Sequence, residues 1–229
     1  VPMGKDVISP SRHVECDTPE NTLAFIKRVQ DVSGLRVGVK LCLGRPDEFR
    51  TLVRAMKKRK TYPDYIVVDG AEGGTGAAPK SFMDGVGMPL FPALDAVQRI
   101  LVEEKVRDKV KLIASGKLIN PAKQLAAMAA GADAIYSARG FMMAIGCIQA
   151  LICNTGHCPV GITTHDKTVQ HGLVIEDKAQ RVANYVKNLE HEFYEMLGAA
   201  GVCNIDQLDR SMIYSKTDAL IPIKMLARK

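Results

Sequence analysis

Three cysteines lie within twelve residues of one another, and a proline directly follows the last of them: Cys147, Cys153, Cys158 and Pro159. Thiolates are soft ligands that suit iron–sulfur clusters and zinc. A cysteine followed by a proline also recurs among iron–sulfur ligands. Because a cluster with three iron corners needs only three such ligands, this segment predicts an iron–sulfur site.

Two other interpretations of these cysteines remain open. Zinc in proteins is mostly tetrahedral, so a zinc site would need His157 or His165 as a fourth ligand. Free cysteines are also often buried as small hydrophobic residues, so the three could simply pack into a core. The cluster is favoured, because three cysteines rarely fall so close together by chance.

Two glycine-containing turns, each with a basic residue, are the next candidates for chemistry. Ser115-Gly116-Lys117 follows one predicted strand, and Ala138-Arg139-Gly140 follows the next. Backbone N–H groups and helix dipoles at such junctions bind phosphate, and barrels usually bind phosphate at their last two strand ends. We therefore predict a phosphate site here. The alternative is that the glycines only let helices pack closely against strands.

A glycine-rich loop and a lysine complete the set of candidates. The loop 69–79 contains Gly73, Gly74 and Thr75. Its glycines would let the backbone approach a flat ring or a small dicarboxylate closely. Lys40 interrupts an apolar strand, and inside a barrel it could hold charge that develops on a flavin during reduction. Otherwise the loop is a surface lid, and Lys40 reaches solvent from its strand end.

Strands that alternate with helices would position these residues. Apolar segments predict strands at 36–43, 65–69, 110–115 and 134–137. Helices are predicted at about 18–30, 48–60, 93–104, 121–130 and 140–153. Asp47 is expected to cap the second of these helices, and the last would carry Cys147 and Cys153 near its end. Such an alternation indicates a parallel sheet covered on both faces, in either a doubly wound open sheet or half of a (β/α)8 barrel.

The chain changes character after about residue 165. The segment 177–197 predicts one long helix with apolar residues at helical spacing. We expect residues 1–165 to form the strand-rich unit with the cysteines. Residues 166–229 are expected to form a helical C-terminal extension that serves packing and not chemistry.

Composition narrows the class of protein. The 229 residues carry a net charge of +6, with only 5% aromatic residues and no Trp, so anionic partners are permitted but nucleic-acid binding is not expected. No apolar run approaches the roughly 20 residues of a membrane span, and the first residues do not resemble a targeting signal. We expect a cytoplasmic protein whose cysteines serve metal or redox chemistry.

Together these motifs resemble the FMN-binding synthase domain of the glutamate synthase family, over nearly the whole chain. The resemblance rests on Lys40 and its neighbours, the loop 69–79, the two basic turns and the segment 146–161. It implies that the three cysteines hold a 3Fe-4S cluster close to the flavin. Ala114-Ser115-Gly116-Lys117 is closer to the shorter, stand-alone branch of the family than to its large enzymes.

The resemblance also implies a fold, a reaction and partners. The fold would be a partial (β/α)8 TIM barrel made of its last four β/α units. The chain would be an oxidoreductase that forms L-glutamate from 2-oxoglutarate and ammonia through iminoglutarate, with FMN as cofactor and electrons relayed by the cluster. Its partners would be ferredoxin or another electron donor, and a glutaminase subunit or a chain that carries the missing half barrel.

Each candidate residue receives a role from the same resemblance. Lys40 would lie beside the flavin ring as the catalytic residue. The two basic turns, 115–117 and 138–140, would hold the FMN phosphate, and Gly73, Gly74 and Thr75 would lie near the ring or the substrate.

Two other functions fit the same residues. Another FMN-dependent barrel enzyme, acting on a 2-hydroxy acid or an amine, would not need the three-cysteine segment. A non-catalytic flavin-binding subunit would keep the cofactor without turning over.

Overall fold

The computed structural model describes residues 13–72 and 85–212, which fold as alternating strands and helices. Four strands form one sheet: β1 (Gly38–Leu41), β2 (Tyr65–Asp69), β3 (Lys111–Ser115) and β4 (Ala134–Tyr136). The α-helices of the described residues are α1 (Pro19–Ser33), α2 (Pro46–Arg59), α3 (Leu90–Glu103), α4 (Pro121–Ala129), α5 (Ala138–Ala144), α6 (Lys167–Gln170) and α7 (Ile175–Ala199). Short 3-10 turns lie at Val14–Cys16, Arg107–Lys109, Cys153–Thr155, Ile205–Gln207 and Arg210–Met212.

The order of the strands decides between the two predicted architectures. The sheet is parallel, and each strand pairs with the next one along the chain, in the order β1-β2-β3-β4. A doubly wound sheet reverses its strand order at a switch point, and no such reversal occurs among the four described strands. The sheet is therefore wound in one direction only, as in a (β/α)8 barrel.

The two faces of the sheet have different surroundings. Alternate side chains point to opposite faces, and one set joins the helices in the main core: Val39, Leu41, Ile66, Val68, Leu112, Ala114 and Ile135. The opposite face carries Lys40, Val67 and Ile113, and at the carboxyl ends of the strands Asp69, Ser115 and Tyr136. Instead of covering both faces as predicted, the helices of the described residues pack on one, because a sheet wound in one direction turns its other face to the barrel interior.

Local side-chain contacts fix where several helices begin. Thr18 accepts a hydrogen bond from the backbone N–H of Asn21 at the start of α1. Asn120 accepts one in the same way from Lys123 at the start of α4. The prediction that Asp47 caps α2 is wrong. That helix begins at Pro46, whose fixed φ suits the first helical position, so Asp47 already lies inside the first turn.

Two aspartates tie the amino ends of neighbouring strands together. Asp64 precedes β2 and accepts a hydrogen bond of 2.8 Å from the backbone N–H of Val37, beside β1. This bond lowers the pKa of Asp64. Asp133 precedes β4 and accepts one of 2.7 Å from the N–H of Leu112 in β3, as well as one of 2.7 Å from Arg107. The end of the sheet opposite the candidate site is therefore held by side chains as well as by the strand ladder.

The helical extension packs against the strand-rich part of the chain. Helix α7, predicted at 177–197, contacts α4 and α5. Leu197 of α7 is buried with Ala129 of α4 and with Val202 and Leu208 beyond it. The division at residue 165 stays a prediction. None of the helices in the described residues has the length and apolar character needed to cross a membrane.

Candidate functional site

Lys40 lies near the carboxyl end of β1, on the helix-free face of the sheet. The Lys40 Nζ lies 2.7 Å from Asp69 Oδ2, at the end of the neighbouring strand. Asp69 is in register with Ser115, and Ser115 with Tyr136, so these three side chains share the helix-free face with Lys40. The Lys40 side chain is 56% exposed. This face therefore presents a cation whose charge is balanced by one carboxylate.

The turn after β3 has an unusual backbone. Gly116 has a φ of 149° and Lys117 a φ of 48°, which are conformations that favour glycine. The N–H of Gly70, after β2, donates to the carbonyl of Ser115 at 2.8 Å, so the two strand ends are joined. Helix α4 begins only at Pro121. Any phosphate at this turn would therefore meet loop N–H groups and not the start of a helix.

The turn after β4 leads directly into a helix, as predicted. Helix α5 begins at Ala138, and Arg139 donates a hydrogen bond of 3.3 Å to Gln149 in the cysteine segment. The hydroxyl of Ser137, one residue before the helix, is buried and lacks a hydrogen-bonding partner within the described part of the chain. Buried polar groups are nearly always satisfied, so Ser137 is a polar group to which a ligand could bond. The sequence interpretation did not single it out.

Glu72 lies between the strand ends and was also missed. One carboxylate oxygen accepts a hydrogen bond of 2.7 Å from the N–H of Leu90, at the start of α3. The other is buried and unpaired within residues 13–72 and 85–212. A methyl group on Gly116 would lie 3.3 Å from this oxygen. Gly116 therefore lets the turn pack closely against Glu72. The predicted residues Gly73, Gly74 and Thr75 lie outside the described residues.

The helix before the cysteines is shorter than predicted. Helix α5 ends at Ala144, not near residue 153, so Cys147 and Cys153 follow the helix. Gly146 has a φ of 106°, and Gln149 and Leu151 adopt left-handed conformations with φ of 57° and 56°. Such residues cannot continue an α-helix. The chain from Cys147 to Cys153 is therefore a strained loop, of the kind that clusters at functional sites.

The three predicted cysteines line one pocket. Its wall is completed by an apolar set of neighbours: Ile148, Ala150, Leu151, Ile152, Pro159 and Val160. All six cysteines of the chain are free thiols. The fold thus brings Cys147, Cys153 and Cys158 together among apolar side chains, and their role as ligands stays a prediction.

Hydrogen-bond donors reach the sulfur atoms of Cys147 and Cys158. The N–H of Gln149 donates to the Cys147 sulfur at 3.4 Å. Burial pushes the pKa of Cys158 up, but backbone N–H groups of Thr163, Val160 and Ile162 together with the Thr163 hydroxyl outweigh it and lower the pKa from 9.0 to about 7. The Thr163 hydroxyl is buried, and among the described residues it has no hydrogen bond of standard geometry. It nonetheless lies close enough to Cys158 to favour the thiolate, which is the form that binds metals.

The arrangement of donors bears on the zinc alternative. No three His, Cys, Asp or Glu side chains in the described ranges converge on a point where one metal ion could bind. Zinc needs all its ligands within about 2.0–2.3 Å of a single ion, whereas a cluster spreads its thiolates over separate iron atoms. Both His157 and His165, the candidate fourth ligands of a zinc site, are exposed.

The pKa of Cys158 predicts a selective reaction of the metal-free chain with iodoacetamide. A pKa of about 7 means that the thiolate fraction rises from about a tenth at pH 6 to about nine tenths at pH 8. Partial burial, followed by the charge of Asp69, raises the pKa of Cys42. We expect Cys158 to be alkylated before Cys42 at pH 7, as measured by peptide mass spectrometry.

The matched variant for this experiment is Thr163→Val, which should move the midpoint for Cys158 to higher pH. A midpoint near the ordinary cysteine value of about 8.5 in the unaltered chain would contradict the prediction.

Comparison with known proteins identifies the family. Residues 1–203 match the family described as a conserved region in glutamate synthase. The chain belongs to the glutamate synthase family. The chain is 40% identical to the glutamate synthase large subunit-like protein YerD of Bacillus subtilis, over 95% of this chain and 42% of YerD. It is 36% identical to the archaeal glutamate synthase (NADPH) of Methanocaldococcus jannaschii, over 91% of this chain and 40% of that protein.

Membership places the chain in an oxidoreductase family and confirms the resemblance seen in the motifs. This chain spans about two fifths of the length of these two relatives.

A solved structure supports the partial barrel. A mutant flavocytochrome b2 with benzoylformate, a TIM-barrel oxidoreductase, matches with a TM-score of 0.52 at 14% identity. The match covers 85% of this chain and 37% of the flavocytochrome. At this identity only the fold is informative. Together with the strand order β1-β2-β3-β4, the match confirms the prediction of a partial (β/α)8 barrel.

Proposed function

We propose that this chain is the half of a glutamate-synthase-type oxidoreductase that holds the FMN phosphate and an iron–sulfur cluster. The enzyme would form L-glutamate from 2-oxoglutarate and ammonia by reduction of iminoglutarate. The observation that carries the proposal is the apolar pocket of Cys147, Cys153 and Cys158, which directly follows the helix at the end of β4. No such pocket is needed by a flavin enzyme without a cluster.

The two basic turns would hold the phosphate of FMN. The groups involved are Ser115, Gly116 and Lys117 after β3, and Ala138, Arg139 and Gly140 after β4. One feature fits a phosphate here, namely the buried Ser137 hydroxyl without a partner in the described residues. Lys117 and Arg139 would contribute positive charge.

Lys40 would act on the ring end of the same cofactor. It stands on the helix-free face at the carboxyl end of the sheet, where ligands of barrels bind. Its ammonium group would offset negative charge that develops on the ring, while the ion pair with Asp69 orients the lysine. Gly73, Gly74 and Thr75 are proposed to line the ring or the substrate.

The cysteines would hold a 3Fe-4S cluster. The donors around Cys158 favour its thiolate before any metal binds, and apolar side chains surround the three cysteines. When bound, the flavin supplies the hydride for iminoglutarate, and the cluster supplies a path for single electrons. The electron donor would be ferredoxin or another carrier. Ammonia would come from a glutaminase subunit, and a further chain segment would complete the barrel.

Loading the chain with its cofactors tests this proposal. After anaerobic incubation with FMN, ferrous iron and sulfide, followed by gel filtration, we expect both flavin and iron to remain bound. With 2-oxoglutarate, ammonium and reduced methyl viologen, the loaded protein is expected to form L-glutamate, detected by amino-acid analysis.

Three results would count against the proposal. Loss of both flavin and iron during gel filtration would refute the proposal. Bound flavin without glutamate would favour the non-catalytic subunit, and flavin reduction by lactate would favour the 2-hydroxy-acid enzyme.

A further inference from the structure

Helix α7 reaches the two basic turns although it belongs to the helical extension. Tyr185, in the middle of α7, is half-buried, and its hydroxyl donates a hydrogen bond of 2.7 Å to the carbonyl of Ile119. Ile119 lies in the loop between β3 and α4, two residues after Lys117, and its N–H bonds back to the Lys117 carbonyl at 3.0 Å. The tyrosine hydroxyl is therefore linked to the backbone of the first basic turn.

The same hydroxyl contacts the second basic turn. A methyl group placed on Gly140 would lie 2.1 Å from the Tyr185 oxygen and 3.2 Å from the Ser137 oxygen. Only glycine leaves room for the tyrosine there. The ring also packs edge-on against Phe141, with 5.3 Å between the ring centroids. The Tyr185 hydroxyl thus stands where the two turns meet, beside the buried Ser137 hydroxyl.

We propose that Tyr185 is a positioning residue that sets the spacing between the two turns, so that both can hold the phosphate of FMN. This inference rests on the proposed function. A phosphate bound by N–H groups from two separate loops requires those loops to keep one relative position. Tyr185 supplies such a connection across 66 positions of sequence. The C-terminal extension thereby becomes part of the cofactor site.

The consequence is a preference for one form of the cofactor. The contacts of Tyr185 with Ile119, Gly140 and Phe141 lie at the phosphate end of the proposed site. The Tyr185 hydroxyl should therefore stabilise FMN, which carries a phosphate monoester, and have little effect on riboflavin, which lacks one. A purely structural tyrosine would affect both flavins alike.

The variant Tyr185→Phe tests the inference, because it keeps the ring against Phe141 and removes only the hydroxyl. The full chain is titrated with FMN and with riboflavin by flavin fluorescence. We expect the Kd for FMN to rise about tenfold, as for loss of one hydrogen bond, and the Kd for riboflavin to stay unchanged. Tyr194→Phe is the matched control, since Tyr194 lies on the same helix and is 70% exposed. It should change neither Kd.

Unchanged riboflavin binding in Tyr185→Phe also shows that the variant is folded. An equal loss for both flavins would overturn the inference in favour of a structural role, and an unchanged Kd for FMN would overturn it outright. If the unaltered chain bound no FMN, the proposed function itself would fall together with the inference. If Tyr185→Phe and the unaltered chain bound FMN with the same Kd, the proposed function would still hold.

Discussion

Cys158→Ser is expected to leave the reconstituted protein without a stable iron–sulfur cluster. The Cys158 thiol is already about half ionised at pH 7 because several amide donors and Thr163 surround it. A serine hydroxyl does not ionise at this pH and is a hard oxygen donor, poorly suited to iron–sulfur ligation. One iron would then lack its ligand in a pocket whose walls offer apolar side chains instead.

The measurement is iron and sulfide content after anaerobic reconstitution and gel filtration, with the visible absorbance as a second readout. The unaltered chain should keep about three iron atoms, as a three-iron cluster requires, and Cys158→Ser less than about a tenth of that amount. Cys203→Ser is the matched control, because Cys203 is exposed and lies outside the pocket. Equal iron in both variants, or iron bound without sulfide, would refute the cluster assignment.

The second large effect is expected on stability, from Asp133→Ala. The carboxylate accepts hydrogen bonds from the N–H of Leu112, a fully buried residue, and from Arg107, each at 2.7 Å. Arg107 also donates to the carbonyls of Val110 and Gly131. Removing the carboxylate leaves a buried N–H and a largely buried cation without their acceptor. We expect the free energy of unfolding to fall by about 3 kcal/mol.

Urea denaturation followed by circular dichroism measures this loss. The free energy of unfolding of Asp133→Asn should lie between those of the unaltered chain and Asp133→Ala. The amide oxygen of the asparagine can still accept from the N–H of Leu112, but it carries no charge to pair with Arg107. Asp31→Ala is the control: Asp31 is 59% exposed and pairs with Lys27 one helical turn away, so its loss should cost less than about 1 kcal/mol. If Asp31→Ala and Asp133→Ala lowered the free energy of unfolding by similar amounts, the contacts of Asp133 with Leu112 and Arg107 would not contribute to stability.

Much of the scaffold could be predicted because its causes are local. Thr18 and Asn120 cap their helices through contacts three residues away, and the apolar run 65–69 forms β2 with the predicted bounds. The cap at Asp47 was predicted wrongly because two local signals competed, and Pro46 determined the start of α2. Local rules decide such cases only when a single signal is present.

The remaining features depend on conformations and contacts that the sequence does not display. The apolar run after Ala144 suggests more helix, and nothing in the residue types of Gln149 or Leu151 announces a left-handed backbone. Tyr185 and Thr163 were missed because their partners are set by tertiary packing. The grouping of the cysteines was predictable from spacing alone, but the donors that favour the thiolate of Cys158 were not.

The aspartates at the amino ends of the strands make that end of the sheet different from the carboxyl end, which carries the candidate site. Asp64 and Asp133 repeat the same contact on β1–β2 and on β3–β4, whereas the carboxyl ends carry glycines and left-handed residues such as Gly116 and Lys117. Local opening should therefore require less free energy at the carboxyl ends than at the clamped amino ends. Slow amide hydrogen exchange would concentrate around Val37 and Leu112, while the loops above the sheet adjust to whatever they bind without loosening the scaffold below.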